Sequence, residues 1–174
     1  VTGGFNFNSY GNNTLKDTNI NTSAIFNDLN YSTLNSFSES GIKSNFEIFF
    51  KNVNTVGKNS PQYQDSLRSE LMSAYTYNVS IPMIKKDSDS LNTLEPKVSF
   101  KLNPHDMKNN KTLERRIDIN NIFNSNRLSM DDTLESGESI TVGVDFKKDK
   151  INTINNLTEI EEYIDFKLAT VLRI

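Results

Sequence analysis

Residues 93 to 104, TLEPKVSFKLNP, place Leu94, Pro96, Val98, Phe100, Leu102 and Pro104 on even positions. Glu95, Lys97, Ser99, Lys101 and Asn103 take the odd ones. A period of two marks a strand with one apolar and one polar face. The alternation recurs along the chain and predicts seven strands, at about 3–10, 18–32, 40–55, 65–85, 93–104, 138–147 and 161–174. The third sets Ile42, Phe46, Ile48 and Phe50 against Lys43, Asn45, Glu47 and Lys51. The fourth sets Leu67, Leu71, Tyr75, Tyr77, Val79, Ile81 and Met83 against Arg68, Glu70, Thr76, Asn78 and Ser80. Ile140, Val142, Val144 and Phe146 oppose Thr141, Gly143, Asp145 and Lys147 in the sixth. Ile164, Phe166, Leu168, Leu172 and Ile174 oppose Asp165, Lys167 and Arg173 in the seventh. Phe5 and Phe7 alternate with Asn in the first, and the second is poorly patterned, with Ile25, Leu29 and Tyr31 as its best row.

Turn-rich pieces separate these runs: GNNTLKD, TLNSFSE, GKNSPQYQ, KKDSDS and KDKINTINN. The widest gap, about 105 to 137, is too long for an ordinary hairpin loop in a compact soluble domain. No helical period dominates, although NLTEIEEYI would pass as one short helical turn.

Two all-β architectures fit this pattern. In a β-sandwich the apolar faces bury one another. In an outer-membrane β-barrel they meet lipid, and the polar faces line a wet lumen. Three features favour the barrel. The fourth run approaches about twenty residues, where soluble strands have about 3–10. The polar faces mix charges of both signs, and connections alternate between shorter turns and longer loops. Lys43, Glu47, Arg68, Glu70, Lys97, Lys101, Asp145, Lys147, Asp165 and Lys167 are then the expected lumen-facing residues. Tyr31, Tyr63, Tyr75, Tyr77 and Tyr163 form a thin set of interfacial anchors.

Composition narrows the function. A net charge of −3 argues against a general nucleic-acid binder. Without cysteine there is no disulfide framework and no thiolate metal site. The single histidine, His105, lies between Pro104 and Asp106 and reads as a loop residue. Asp131, Asp132 and Glu135 are the best candidates for a divalent cation, but they lack the spacing of a calcium loop, and no metal site is assigned. Arg115, Arg116 and Arg127 are candidate contacts to sugar or phosphate groups, since guanidinium forks suit phosphate. The interspersed acids make a second reading preferable: an internally salt-bridged loop folded over or into the barrel mouth. No catalytic residue and no cofactor is assigned.

Residues 93 to 146 are more specific. TLEPKVSFKLNP followed by IFNSNRLSMDDTLESGESITVGVDF resembles the barrel of the lipopolysaccharide-assembly protein LptD. Thr93 to Lys97 match a strand opening of that family. Ile122, Phe123, Asn126, Arg127, Leu128, Ser129 and Asp131 match a loop pattern, and Thr141 with Gly143 matches the following strand. Met130 stands where the family favours glycine, and Asp132 with Thr133 replaces a basic residue. The resemblance covers roughly a third of the chain. It implies that residues 1 to 174 are an antiparallel meander within a large transmembrane barrel, an interior piece of a longer chain lacking its periplasmic domain. It implies a bacterial outer-membrane location and transport rather than enzymatic catalysis. The implied partners are lipopolysaccharide, the outer-membrane lipid bilayer, an LptE-like lipoprotein plug and a periplasmic LptA-like bridge.

Overall fold

The computed structural model describes residues 2–16, 19–108, 116–154 and 157–174. Among these the protein is all-β. Nine strand segments follow in order: β1 (Gly3–Lys16), β2 (Ile20–Thr33), β3 (Ser36–Phe37), β4 (Lys43–Lys58), β5 (Arg68–Ser80), β6 (Met83–Lys86), β7 (Ser90–Asn103), β8 (Gly137–Ile154) and β9 (Leu157–Arg173). They form one antiparallel sheet in the order β1-β2-β4-β5-β7-β8-β9. The short segments extend their predecessors. Strand β3 pairs with β4 after an irregularity at Leu34 and Asn35. Strand β6 keeps the register of β5 along β7, interrupted where Pro82 has no N–H to donate. Ile81 N still donates to Pro96 O at 3.0 Å. Seven strand lines therefore run as a meander. The sheet is not closed: β1 and β9 each have one neighbour.

Several strands outrun their expected ends. Strand β1 continues through GNNTLK because Leu15 and Lys16 pair with Asn21 and Ile20. Strands β8 and β9 continue through KDKINTI and LTEIEEY, so the expected turn is mostly strand and the candidate helical turn is extended chain. Turn-forming Asn and Asp are tolerated there because each strand supplies the other's hydrogen bonds, and Lys150 stands opposite Glu161.

Direct cross-strand partners share a face, so the registers assign every strand residue to one side. Ser32, Glu47 and Thr76, for example, share a face with Lys101, Ser139 and Arg173. Residues 123 to 135, between β7 and β8, pack across this side. Among the described residues the opposite side is bare except where His105 lies against Ser73, and it carries the apolar rows. Phe100 is 47% exposed, while its neighbour Lys101 is 7% exposed.

The loop-covered face also holds a small apolar core: Ala24, Phe26, Val53, Met72 and Ala74 around Leu134, which is fully buried. This explains the weak patterning of the second strand. Ala24 and Phe26 face the loop while Ile25 and Leu29 face away, so apolar residues occupy both sides and the alternation disappears.

Candidate functional site

The loop-covered face is a charged surface seated under its own connection. Asp118 shapes the start of the described part of that connection. Its Oδ1 accepts from the N–H groups of Asn120 (2.8 Å) and Asn121 (3.2 Å), and Asn121 Oδ1 accepts from Asp118 N at 2.9 Å. This reciprocal turn begins a compact series of turns. Ser129, with φ of 47°, takes a left-handed conformation near its end.

Three contacts seat the loop on the strands. Phe123 enters a hole made by a missing side chain. A Cβ on Gly143 would lie 2.8 Å from Phe123 Cζ and 2.9 Å from Ala169 Cβ, so a larger residue at 143 would displace the ring. Lys97 Nζ sits 5.2 Å from that ring's centroid and is paired with Asp145. Ser125 Oγ lies 3.1 Å from Thr76 Oγ1 and donates to Glu47 Oε2 at 2.8 Å. Arg127, 2% exposed, grips Glu135 through Nε (2.5 Å) and Nη2 (2.9 Å), and donates to Ser139 and Thr141 on β8.

Glu135 is the electrostatic centre. Besides Arg127 it meets Lys101 Nζ at 3.4 Å and Arg173 Nη2 at 2.5 Å. Burial alone would raise its pKa. The Arg127 hydrogen bonds and the charges of Lys101, Arg127 and Arg173 outweigh burial and hold the carboxyl below its ordinary value. Near the other end of the face, Tyr63 has its pKa raised by burial and then by the charges of Asp132 and Asp131.

All ten residues expected to line a lumen lie on the loop-covered face by register. Most are in ion pairs there: Lys43 with Glu95 (3.9 Å), Arg68 with Glu70 (2.7 Å), Lys97 with Asp145, Lys101 with Glu135, Lys147 with Asp149 (3.2 Å) and Lys167 with Asp165 (3.4 Å). Glu47 instead accepts from Asn45, Asn78 and Ser125.

Other expectations need correction. Arg127 is not available to an outside sugar or phosphate, because its guanidinium is buried and occupied by Glu135, Ser139 and Thr141. Arg116 is exposed, and Arg115 lies outside the described residues. Asp131, Asp132 and Glu135 do not converge on a cation: Glu135 is ringed by basic groups, and Asp131 accepts from Tyr10 Oη at 3.1 Å. Tyr63 is no interfacial anchor, since it packs against the small core. His105 sits beside Ser73, Nε2 to Oγ 3.3 Å. Sequence reasoning missed Leu134 as the loop's apolar anchor, because one Leu in a polar loop carries no periodic signal. It also missed the Lys51–Asp28 pair, 2.7 Å apart with Lys51 fully buried.

Comparison with protein-family models, curated proteins and solved structures returns no match. Among the described residues no helix is long and apolar enough to cross a membrane, which bears on helical spans alone.

Proposed function

We propose that this sheet is an arc of an outer-membrane β-barrel, with the bare apolar face toward lipid and the loop-covered face toward a wet lumen. One observation carries the reading: large apolar side chains lie exposed on one face while Lys, Arg and Glu are buried on the other. A soluble monomer rarely exposes an apolar patch beyond a few hundred Å². Here exposed residues recur along three neighbouring strands, Phe100 and Leu102 on β7, Val142 on β8, and Phe166 and Leu168 on β9. Strands of 13 to 18 residues supply length for a tilted crossing, which takes about 9–11. The free edges of β1 and β9 would be met by further strands, since hydrocarbon cannot satisfy their N–H and C=O groups.

Within that class we propose an LptD-like role, in which the barrel helps insert lipopolysaccharide into the outer leaflet. The support is the resemblance together with where its residues sit. Phe123, Arg127, Thr141 and Gly143 belong to the resembling pattern, and these same residues seat the loop on β8. A motif spread over a loop and a strand makes physical sense when the two must lock together.

The membrane reading is tested with a fluorophore at position 98 or 97 of the protein in brominated lipid. Strong quenching at 98 and little at 97 is expected. Equal quenching, or none at either position, removes the lipid-facing assignment, and absence at both with a soluble monomer favours a sandwich. The substrate is tested by a photo-crosslinking residue at Lys43 in outer membranes. Lipopolysaccharide should be captured, and capture of other solutes alone points to a porin or receptor.

A further inference from the structure

The apolar belt on the bare face is not level with the hydrogen-bonded rows. Its continuous runs are Phe5 to Phe7 on β1, Leu29 to Tyr31 on β2, Phe46 to Phe50 on β4, Tyr75 to Met83 on β5 and β6, Leu94 to Leu102 on β7, Ile140 to Phe146 on β8, and Ile164 to Leu172 on β9, where Thr170 is the one polar member. One row of direct partners links Tyr31, Ile48, Tyr75, Leu102 and Glu138. It crosses the middle of the run on β4, reaches the upper end on β5 and β7, and has left it at Glu138 on β8. The row through Ser44, Val79, Val98 and Val142 does the converse, starting below the run on β4 and reaching its middle on β7.

From β1 to β9 the centre of the belt moves about seven residues over six strand steps, roughly one residue per strand. One residue is about 3.3 Å along a strand, and one step is about 4.8 Å across the sheet, so the belt slopes at about 35° to the rows. Closed membrane barrels tilt their strands by about 35–45°.

We infer that the bilayer meets this sheet along that diagonal, so the protein carries a sloped lipid-binding belt and projects hairpin ends into water on opposite sides. This rests on the barrel reading above and adds the tilt and the boundaries to it. At the long-loop end the upper parts of β1, β2 and β4 stand clear of the hydrocarbon. Their border is a polar ladder: Ser9 Oγ donates to Asn27 Oδ1 (2.7 Å), Asn27 Nδ2 to Asn52 Oδ1 (3.1 Å), and Asn52 Nδ2 to Ser69 Oγ (3.3 Å). These amides and hydroxyls satisfy one another on the bare face, and their remaining capacity suits the hydrogen-bonding headgroup layer rather than lipid tails. At the other end β8 and β9 project beyond the belt. There Lys148 Nζ lies 5.9 Å from the Tyr163 ring centroid, an aromatic with a cation at the expected second border. The belt is broad on β5, β7 and β9 and narrow on β1, β2 and β4, so the lipid contact is strongest toward the β9 side.

The test uses nitroxide labels in the full chain reconstituted in bilayers, with depth read from the ratio of oxygen to nickel-chelate accessibility. Labels at the run centres, Ile48, Val98 and Leu168, should share one depth. Labels along the row Ile48, Tyr75, Leu102 and Glu138 should become progressively shallower, by about 8 Å in total. Equal depth along the row and unequal depth at the centres overturns the slope while leaving lipid contact intact. Labels that see no bilayer at any of these sites overturn the barrel reading as well. Polarised infrared dichroism of the unlabelled chain in oriented bilayers provides a second measurement, independent of any substitution. A strand tilt near 35° is expected, and strands parallel to the membrane normal contradict it.

Discussion

Away from the small apolar core under the loop, the two faces of this sheet bury and expose opposite kinds of side chain. On the bare face Phe100 and Leu102 are exposed, by 47% and 42%. On the other face, Lys101 and Arg127 are almost fully enclosed, and Glu135 is enclosed between them. In a water-soluble domain the apolar side would be the one enclosed. The inversion teaches that burial in this protein is supplied by two different agents. The loop covers the charged side, and it can do so because it brings a matching carboxylate, hydroxyls and an aromatic ring. The apolar side has no such cover among the described residues, and in the proposed reading lipid supplies it.

The largest effect should come from unbalancing the enclosed charges. Glu135→Gln leaves Arg127, Lys101 and Arg173 without their shared anion. Removing one partner of a buried pair costs about 3–5 kcal/mol, to be seen as a lower denaturant midpoint in detergent. On the bare face, Val98→Arg should cost about 2–4 kcal/mol in a bilayer, whereas Lys97→Gln leaves the amount of folded outer-membrane protein nearly unchanged. If Val98→Arg were harmless in lipid, the contrast between faces would collapse. Gly143→Ala forces Phe123 out of its hole, and overpacking of this kind costs about 1–3 kcal/mol. Phe123→Leu in the same chain should recover part of that loss, measured as a double-mutant cycle. Ser125→Ala removes hydrogen bonds to Thr76 and Glu47 and should cost about 1 kcal/mol.

Acid sharpens the comparison. The Glu135 carboxyl is held below its ordinary value of 4.5, so the folded state binds its proton less readily than the unfolded chain does. Its contribution is fully present above that ordinary value and is lost as pH falls through the depressed one. Unfolding midpoints measured from neutral to strongly acidic pH should show this loss, and Glu135→Gln should flatten that part of the profile.

Much of the sheet was legible because a period of two survives wherever one face is polar. Strand β7 and the middle of β8 illustrate this, and all seven strand lines were identifiable. The ends of β1, β8 and β9 were not, because Asn, Asp and Lys in those stretches carry turn propensity that cross-strand pairing overrides. The charged side of the sheet was legible residue by residue. The seat of the loop was only half visible. Arg127 stood out as a charge, and the preferred expectation of an internally salt-bridged loop matches its pairing with Glu135. Glu135 itself stood out as an acid that could have bound metal. That it anchors three cations depends on Lys101 and Arg173, which lie 34 and 38 residues away. Ser125 illustrates the same limit. Nothing in the polar stretch around it marks Ser125 as buried, yet it lies against β5 while its neighbour Asn124 is exposed.

The seating of the loop also sets an order of assembly. Arg127 reaches Glu135 across 8 residues, Ser139 across 12 and Thr141 across 14, all within one β7–loop–β8 unit. Ser125 reaches Glu47 across 78 residues, and Tyr10 reaches Asp131 across 121. Short loops close before long ones because they lose less chain entropy. The hairpin should therefore fold its loop back onto itself first, with the Arg127 charge already neutralised, and present a finished surface to the earlier strands. Strands β4 and then β1 would dock last, so a chain stalled in assembly should show protection from proteolysis around residues 123 to 141 while β1 is still cleaved.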